Sequence, residues 1–226
     1  LRSPSVEGVP VRLRIPPGSH PLTEAMVFDS STRVSAVWIE GAEGSVMTLP
    51  TPSTSSGRRL TATYDSTMLF SIMRGAPPVY VRGMRLAGGV RVEAGLIDLD
   101  NCTLDGSWLG TQPAVGVQVT GGLVRLNSTV LANFGSGGMS VTSGRVEIDG
   151  SVLRGNGHLP AATFGALQVG DANGGGDAHV TITSTRIEAN GYARESCEDL
   201  LCVRGGGLKV VGGNVVLRAG TMLRNN

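Results

Sequence analysis

Two short motifs recur together along this chain, and no other feature limits its fold as much. The first is a small residue, an aliphatic, any residue and valine. It occurs as Gly89-Val-Arg-Val92, Gly116-Val-Gln-Val119, Gly138-Met-Ser-Val141, Ala166-Leu-Gln-Val169 and Gly207-Leu-Lys-Val210, with starts 27, 22, 28 and 41 residues apart. The second, an aliphatic, two residues and asparagine, runs in step with it: Val130 to Asn133, Leu153 to Asn156, Ile187 to Asn190 and Met222 to Asn225. Two motifs sharing one irregular period point to stacked coils. A further set of segments, Leu96-Ile-Asp-Leu99, Leu123-Val-Arg-Leu126, Arg145-Val-Glu-Ile148, His179-Val-Thr-Ile182 and Asn214-Val-Val-Leu217, mostly alternates apolar with polar, the period of a strand buried on one face. No ten-residue stretch carries a sustained apolar stripe at helical spacing, so helices are expected to be nearly absent.

Aromatic residues make up 4% of the 226 positions and glycines number 34, so small aliphatics must fill the core. At 40% hydrophobic the chain is expected to fold. The formal net charge is +1 with the charges scattered, which leaves no basic stripe for nucleic acid. The longest uncharged run, Gly106 to Val124, contains Gln112, Pro113 and Gln118, so no membrane span is expected. No charged segment followed by an apolar run opens the chain, so it is expected to start mid-protein or to be a mature form.

The first 88 residues are less regular. Val11–Ile15 alternates like a strand and is closed by Pro16-Pro-Gly18; with Ala25–Phe28 and Ser35–Ile39 it reads as one three-sided coil. A second coil takes Val46–Leu49, then Leu60–Tyr64 or Met68–Ile72, then Val79–Leu86, with the polar stretch from Pro50 to Gly57 as a surface loop. The fold expected is all-β: a right-handed parallel β-helix, a solenoid of about seven coils. It forms a single domain over 1–226, irregular over 1–88 and regular over 89–226, with loops at 156–177 and 192–205. The sequence reads as a fragment of a longer protein, because Met222 to Asn225 completes the asparagine motif without the glycine strand that should follow. In such a stack, equivalent strands lie about 4.8 Å apart, so seven coils make a rod roughly 29 Å long. Each inward valine then sits over its equivalent in the next coil. Asparagine after a strand suits a left-handed corner or a hydrogen-bonded ladder, and the repeated glycine suits close backbone approach or positive φ.

The pairing of the aliphatic-x-x-Asn motif with a Gly-Gly-aliphatic motif, over residues 89–226, resembles the Phe-x-x-Asn and Gly-Gly-Ala-aliphatic repeats of chlamydial polymorphic outer-membrane proteins and their algal and microbial counterparts. Val130, Leu153, Ile187 and Met222 stand where that family has Phe. The resemblance implies a β-helix of the pectin-lyase-like class in a secreted or surface passenger domain with an adhesive or structural role.

Candidate chemistry follows from the rows that a stack creates. One outward row is Arg91, Gln118, Ser140, Gln168 and Lys209, from which Arg91, Gln118, Gln168 and Lys209 are candidate ligand-binding residues. A second is Asp98, Arg125, Glu147, Thr181 and Val216; a corner row is Asp100, Asn127, Asp149, Thr183 and Arg218. Asp100 and Asp149, two coils or roughly 10 Å apart, are the candidate catalytic pair, near the separation of inverting glycosidases. The paired Asp-Asp and Gly-His-Gly expected of pectate lyases or polygalacturonases are missing. Asp171, Asn173 and Asp177 offer oxygen ligands in a glycine-rich loop, so calcium is the metal to consider and no other cofactor is expected. Cys197 and Cys202 are spaced to close a disulfide across their loop, and two reduced thiols fit the spacing nearly as well. The function expected is an extracellular or cell-surface structural or adhesive module binding a polysaccharide or a protein surface, with end-to-end self-association through an open end. The alternatives are a carbohydrate-active enzyme, lyase or hydrolase, and an inert scaffold.

Overall fold

Alternation along the chain becomes alternation between core and solvent in space. In Leu96–Asp100 the side chains of Ile97 and Leu99 are buried, while Leu96, Asp98 and Asp100 are only partly covered. The same pattern repeats in Leu123–Asn127 and Ala178–Thr183. The computed structural model describes residues 8–49, 67–109, 114–159, 162, 164–171, 176–191 and 206–226.

The strands form three parallel sheets. Sheet A contains Val11–Ile15, Val37–Gly41, Val79–Arg82, Leu96–Asp100, Leu123–Asn127, Gly144–Asp149, Ala178–Thr183 and Asn214–Leu217. Sheet B contains Gly18–Pro21, Ser45–Thr48, Arg85–Ala87, Thr103–Asp105, Val130–Ala132, Val152–Arg154, Arg186–Glu188 and Met222–Arg224. Sheet C contains Met26–Phe28, Met68–Ile72, Gly89–Val92, Val115–Val119, Gly137–Val141, Leu167–Val169 and Leu208–Val210. The chain visits A, B and C in turn and pairs each strand with its equivalent one turn later, which makes a parallel β-helix of seven complete coils and two sides of an eighth. Crossovers between parallel strands of one sheet are right-handed almost without exception. The core is one column of stacked aliphatics. Val90, Val117, Met139 and Leu167 lie over one another in sheet C, and Val81, Leu99, Leu126 and Ile148 in sheet A, all buried.

The glycine motif is in register throughout: Val92, Val119, Val141, Val169 and Val210 are ladder partners. Its glycines serve close approach. A Cβ on Gly116 would lie 2.7 Å from the Gly138 carbonyl oxygen, and one on Gly138 would lie 2.5 Å from that of Ala166.

Two expectations are corrected. The asparagine motif mixes two neighbouring positions. Val130 pairs with Val152, not Leu153, and Arg186 pairs with Met222, so Asn133, Gly155, Ala189 and Asn225 are equivalent. These four take left-handed backbone conformations, with φ of 62°, 62°, 52° and 51°. The ladder is one residue further on, at Asn156, Asn190 and Asn226: the Nδ2 of Asn156 donates to the Oδ1 of Asn190, and that of Asn190 to Asn226, each at 3.0 Å. The second correction is the phase of the opening coils. Gly18–Pro21, read from its prolines as a terminator, is a sheet B strand, and Val37–Gly41 opens coil 2 instead of closing coil 1. Likewise Val79–Arg82 and Arg85–Ala87 belong to coil 3, Met68–Ile72 is the sheet C strand of coil 2, and Leu60–Tyr64 lies outside the described residues.

The three corners differ. Between sheets A and B the turn in coils 3 to 7 is two residues. The first has a left-handed φ (Gly83, Asn101, Ser128, Gly150, Ser184), and the second points inward (Met84, Cys102, Thr129, Ser151, Thr185). There the Cys102 amide donates to Thr129 Oγ1 at 3.3 Å, the Thr129 amide to Ser151 Oγ at 3.1 Å and the Ser151 amide to Thr185 Oγ1 at 3.3 Å. Each turn thus satisfies the one before it. Between sheets B and C the chain instead carries long connections, at 49–67, 106–114, 155–166 and 189–207.

Candidate functional site

Sheet C presents the row foreseen from the repeats. Ser71, Arg91, Gln118, Ser140, Gln168 and Lys209 are ladder partners on its outer face, each half-buried, and none is acidic. Arg91 Nε lies 3.8 Å from the Glu93 carboxylate at the edge of the row. The face runs between the B–C corner, with its long connections, and the C–A corner, where residues 170–177 form the connection of coil 6. Phe164, from the 155–166 connection, folds back over this sheet: a Cβ on Gly137 would lie 2.2 Å from its ring.

Sheet A carries a different surface. Its central outward row is Arg12, Trp38, Tyr80, Asp98, Arg125, Glu147, Thr181 and Val216. Trp38 and Tyr80 stack with ring centroids 4.1 Å apart and planes 13° apart, and the Arg12 guanidinium lies 5.9 Å from the Trp38 ring. The rings cover each other's faces, so this pair is a ladder and not an open platform. Sequence reasoning missed it; the signal was two aromatics in the middle of strands of the opening coils, whose phase was misread.

The candidate catalytic carboxylates are separated as foreseen, since Asp100 pairs with Asn127 and Asn127 with Asp149. They do not converge. Asp100 Oδ2 accepts from Arg82 at 2.7 and 2.8 Å, and Asp149 is exposed at its strand end. Neighbouring groups are similarly engaged: Asn127 Nδ2 donates to Asp98 at 3.0 Å, while Arg125 and Arg145 both bind Glu147 at 2.8 Å. A shallow depression of about 360 Å³ lies at the far end of this sheet, lined by Arg145, His179, Thr181, Asn214 and Val216, and it includes none of the candidate residues.

The two buried-row carboxylates are driven in opposite directions. Burial pushes Asp98 above the usual carboxylate range, against the pull of Arg125 and Asn127. The hydrogen bond from Arg125 holds Glu147 below it. A raised folded-state pKa gives stability that is present below the unfolded value and lost as pH rises through the folded one; a lowered pKa gives stability present above the unfolded value and lost as pH falls. Asp98→Asn is therefore expected to raise the urea midpoint at pH 7 and Glu147→Gln to lower it, each by less than about 1 kcal/mol. Both differences should vanish in acid, below the two carboxyl pKa values. Urea titrations at pH 7 and in acid check the signs; shifts of the same sign at pH 7 would contradict the environments described.

Of the candidate calcium ligands, Asp171 and Asp177 are on the C–A connection and Asn173 lies outside the described residues. The Asp177 carboxylate is 89% exposed, with His179 Nε2 at 2.9 Å. Among the described residues no three His, Cys, Asp or Glu side chains gather. Cys197 and Cys202 also lie outside the described residues. Cys102, in the corner ladder, has its thiol pushed up to about 11 by burial, so it stays protonated. Among the described residues no helix is long and apolar enough to cross a membrane.

No family profile matches the chain, and no curated protein or solved structure is significantly similar to it.

Proposed function

We propose that this β-helix is a polysaccharide-binding module of a secreted or cell-surface protein, with an adhesive role and no chemistry of its own. The observation that carries this reading is the outer row of sheet C, which offers hydrogen-bonding side chains once per rung and no carboxylate. A small ligand needs groups that converge on a point. A polymer needs the same group repeated at a spacing near its own, and rungs about 4.8 Å apart provide that spacing. The long connections gathered on the B–C corner border this face, as binding loops border a rigid scaffold elsewhere. The paired glycine and asparagine motifs further support a likeness to pectin-lyase-like surface passenger domains. On sheet A, the pairing of Asp100 with Arg82 and of Glu147 with Arg125 and Arg145 argues for a solvated, self-neutralised face over a hydrolytic one.

The test is retention on immobilised polygalacturonate and β-glucan. The wild-type protein is expected to bind one of them, and Gln118→Ala combined with Gln168→Ala to weaken that binding about tenfold, the scale of one lost hot spot. Unchanged retention in the double variant would remove sheet C from the account. Cleavage of either polymer that disappears in Asp100→Ala or Asp149→Ala would replace the binding module with an enzyme.

A further inference from the structure

In coil 4 the B–C connection starts with a short 3-10 turn, Gly106–Leu109, that holds one aromatic ring out of the rod. Gly106 is buried so closely that a Cβ there would lie 2.5 Å from the Asn133 carbonyl oxygen. Leu109 packs against the core, and the Ser107 amide donates to Asp105 Oδ1 at 2.9 Å. With its neighbours pinned, Trp108 projects outward and remains 52% exposed. One of its faces is covered: the Arg85 guanidinium lies 5.5 Å from the ring centroid. Arg85 is in turn fixed by an ion pair to Asp105, which is 5% exposed and also accepts from Asn133 Nδ2 at 3.1 Å. This arrangement leaves the Arg85 Nε buried without a hydrogen-bond partner, a cost native structures seldom carry without a reason. A carboxylate, an amide and a guanidinium thus brace a single exposed indole.

The surroundings decide what the ring suits. Protein docking uses a contiguous apolar patch around its anchor. Among the described residues every other exposed large apolar side chain, such as Val27, Val211 or Leu223, lies in or beside coil 1 or in coils 7 and 8, so Trp108 stands alone in the middle of the rod. Its neighbours are polar: Ser107 is exposed and Thr103 and Arg85 are half-buried. An isolated flat apolar surface with a hydrogen-bonding rim matches a pyranose ring, which has an apolar C–H face and hydroxyls at its edge. Trp108 also belongs to the same coil as Gln118, on the corner that borders sheet C.

We infer that Trp108 is a sugar-stacking subsite, braced by Arg85 and Asp105, that fixes one unit of a polysaccharide chain beside sheet C. This rests on the reading of the rod as a polysaccharide-binding module. The test is calorimetric titration of the whole chain with hexasaccharides of polygalacturonate, cellulose and chitin. Wild type, Trp108→Ala and Trp108→Phe are compared, with thermal melts to verify that each variant folds. Trp108→Ala is expected to lose affinity tenfold or more for the saccharide that binds, and Trp108→Phe to lose less. In a Trp38→Phe background, emission from Trp108 should shift to the blue and become less open to acrylamide quenching when that saccharide is added. Equal affinity in wild type and Trp108→Ala, or no change in Trp108 emission, would overturn the subsite while leaving the module reading in place. Failure of wild type to bind any of the three would overturn both.

Discussion

Asn156→Ala is expected to destabilise the protein by about 3–4 kcal/mol, because two or three buried polar groups lose their partners together. Asn156 is 0% exposed. Its Oδ1 accepts from the Phe134 amide at 3.1 Å, and its Nδ2 lies 3.0 Å from both the Leu131 carbonyl and Asn190 Oδ1. Truncation orphans the Phe134 amide and removes the donor to Leu131, in a region too dry to replace them at no cost. The loss falls between coils 5, 6 and 7, and since each coil of a solenoid touches only its neighbours, unfolding should begin there. Equilibrium urea denaturation measures the loss, and hydrogen exchange locates it. Asn225→Gly is the control: its equivalent in coil 6 is Gly155, both are left-handed, and the change should stay within about 0.5 kcal/mol. A loss below about 1 kcal/mol for Asn156→Ala would mean that water or a shifted backbone replaces the ladder.

Gly116→Ala is expected to cost about 3 kcal/mol, the upper end of the usual penalty for overpacking a core. The backbone of Gly116 is not left-handed, so conformational freedom is not the issue. Space is. The added Cβ would lie 2.6 Å from Leu131 Cδ1, 2.7 Å from Phe134 Cδ2 and 2.7 Å from the Gly138 carbonyl oxygen. Leu131 can rotate, but the carbonyl belongs to the next rung and can only retreat by opening the strand spacing. In coil 6 the same position is Ala166, fully buried, where the sheet C ladder begins one residue later, at Leu167 and Leu208. Ala166→Gly should therefore cost no more than about 1 kcal/mol, the ordinary loss for glycine in a strand. Thermal melts of the two variants separate the effects; a mild Gly116→Ala would show that the rungs can spread.

How far the chain could be read in advance depended on what each side chain touches. The glycine strands were legible because Val92, Val119, Val141, Val169 and Val210 all meet one apolar column, and stacking like on like leaves a period in the letters. The outer rows followed from the same register. The asparagine motif was legible only to within one residue, because consecutive positions both favour Asn for separate reasons. At Asn133 and Asn225 the backbone is left-handed; at Asn156 and Asn190 the side chain is buried in a ladder. The A–B corner was invisible, since Cys102, Thr129, Ser151 and Thr185 share a small polar side chain and not an identity. The opening coils were misphased because His20 and Pro21 form a strand that neither propensity nor alternation suggests, and that is held by parallel pairing with Met47 and Thr48. Trp108 carried no periodic signal at all. Its role depends on Arg85 and Asp105, residues a coil apart that meet only once the rod is wound.

The direction of the parallel ladders has a mechanical consequence. Hydrogen bonds between successive strands lie along the long axis, so a pull on the two ends loads all three sheets of a single gap at once, and no bond can fail ahead of its neighbours. Once a gap does open, the chain winding around the axis is released as slack. The turn from Leu123 to Ser143 alone holds on the order of 70 Å of extended backbone against a rung height of about 4.8 Å. Such a rod would resist stretching up to a threshold force and lengthen more than tenfold, turn by turn, above it.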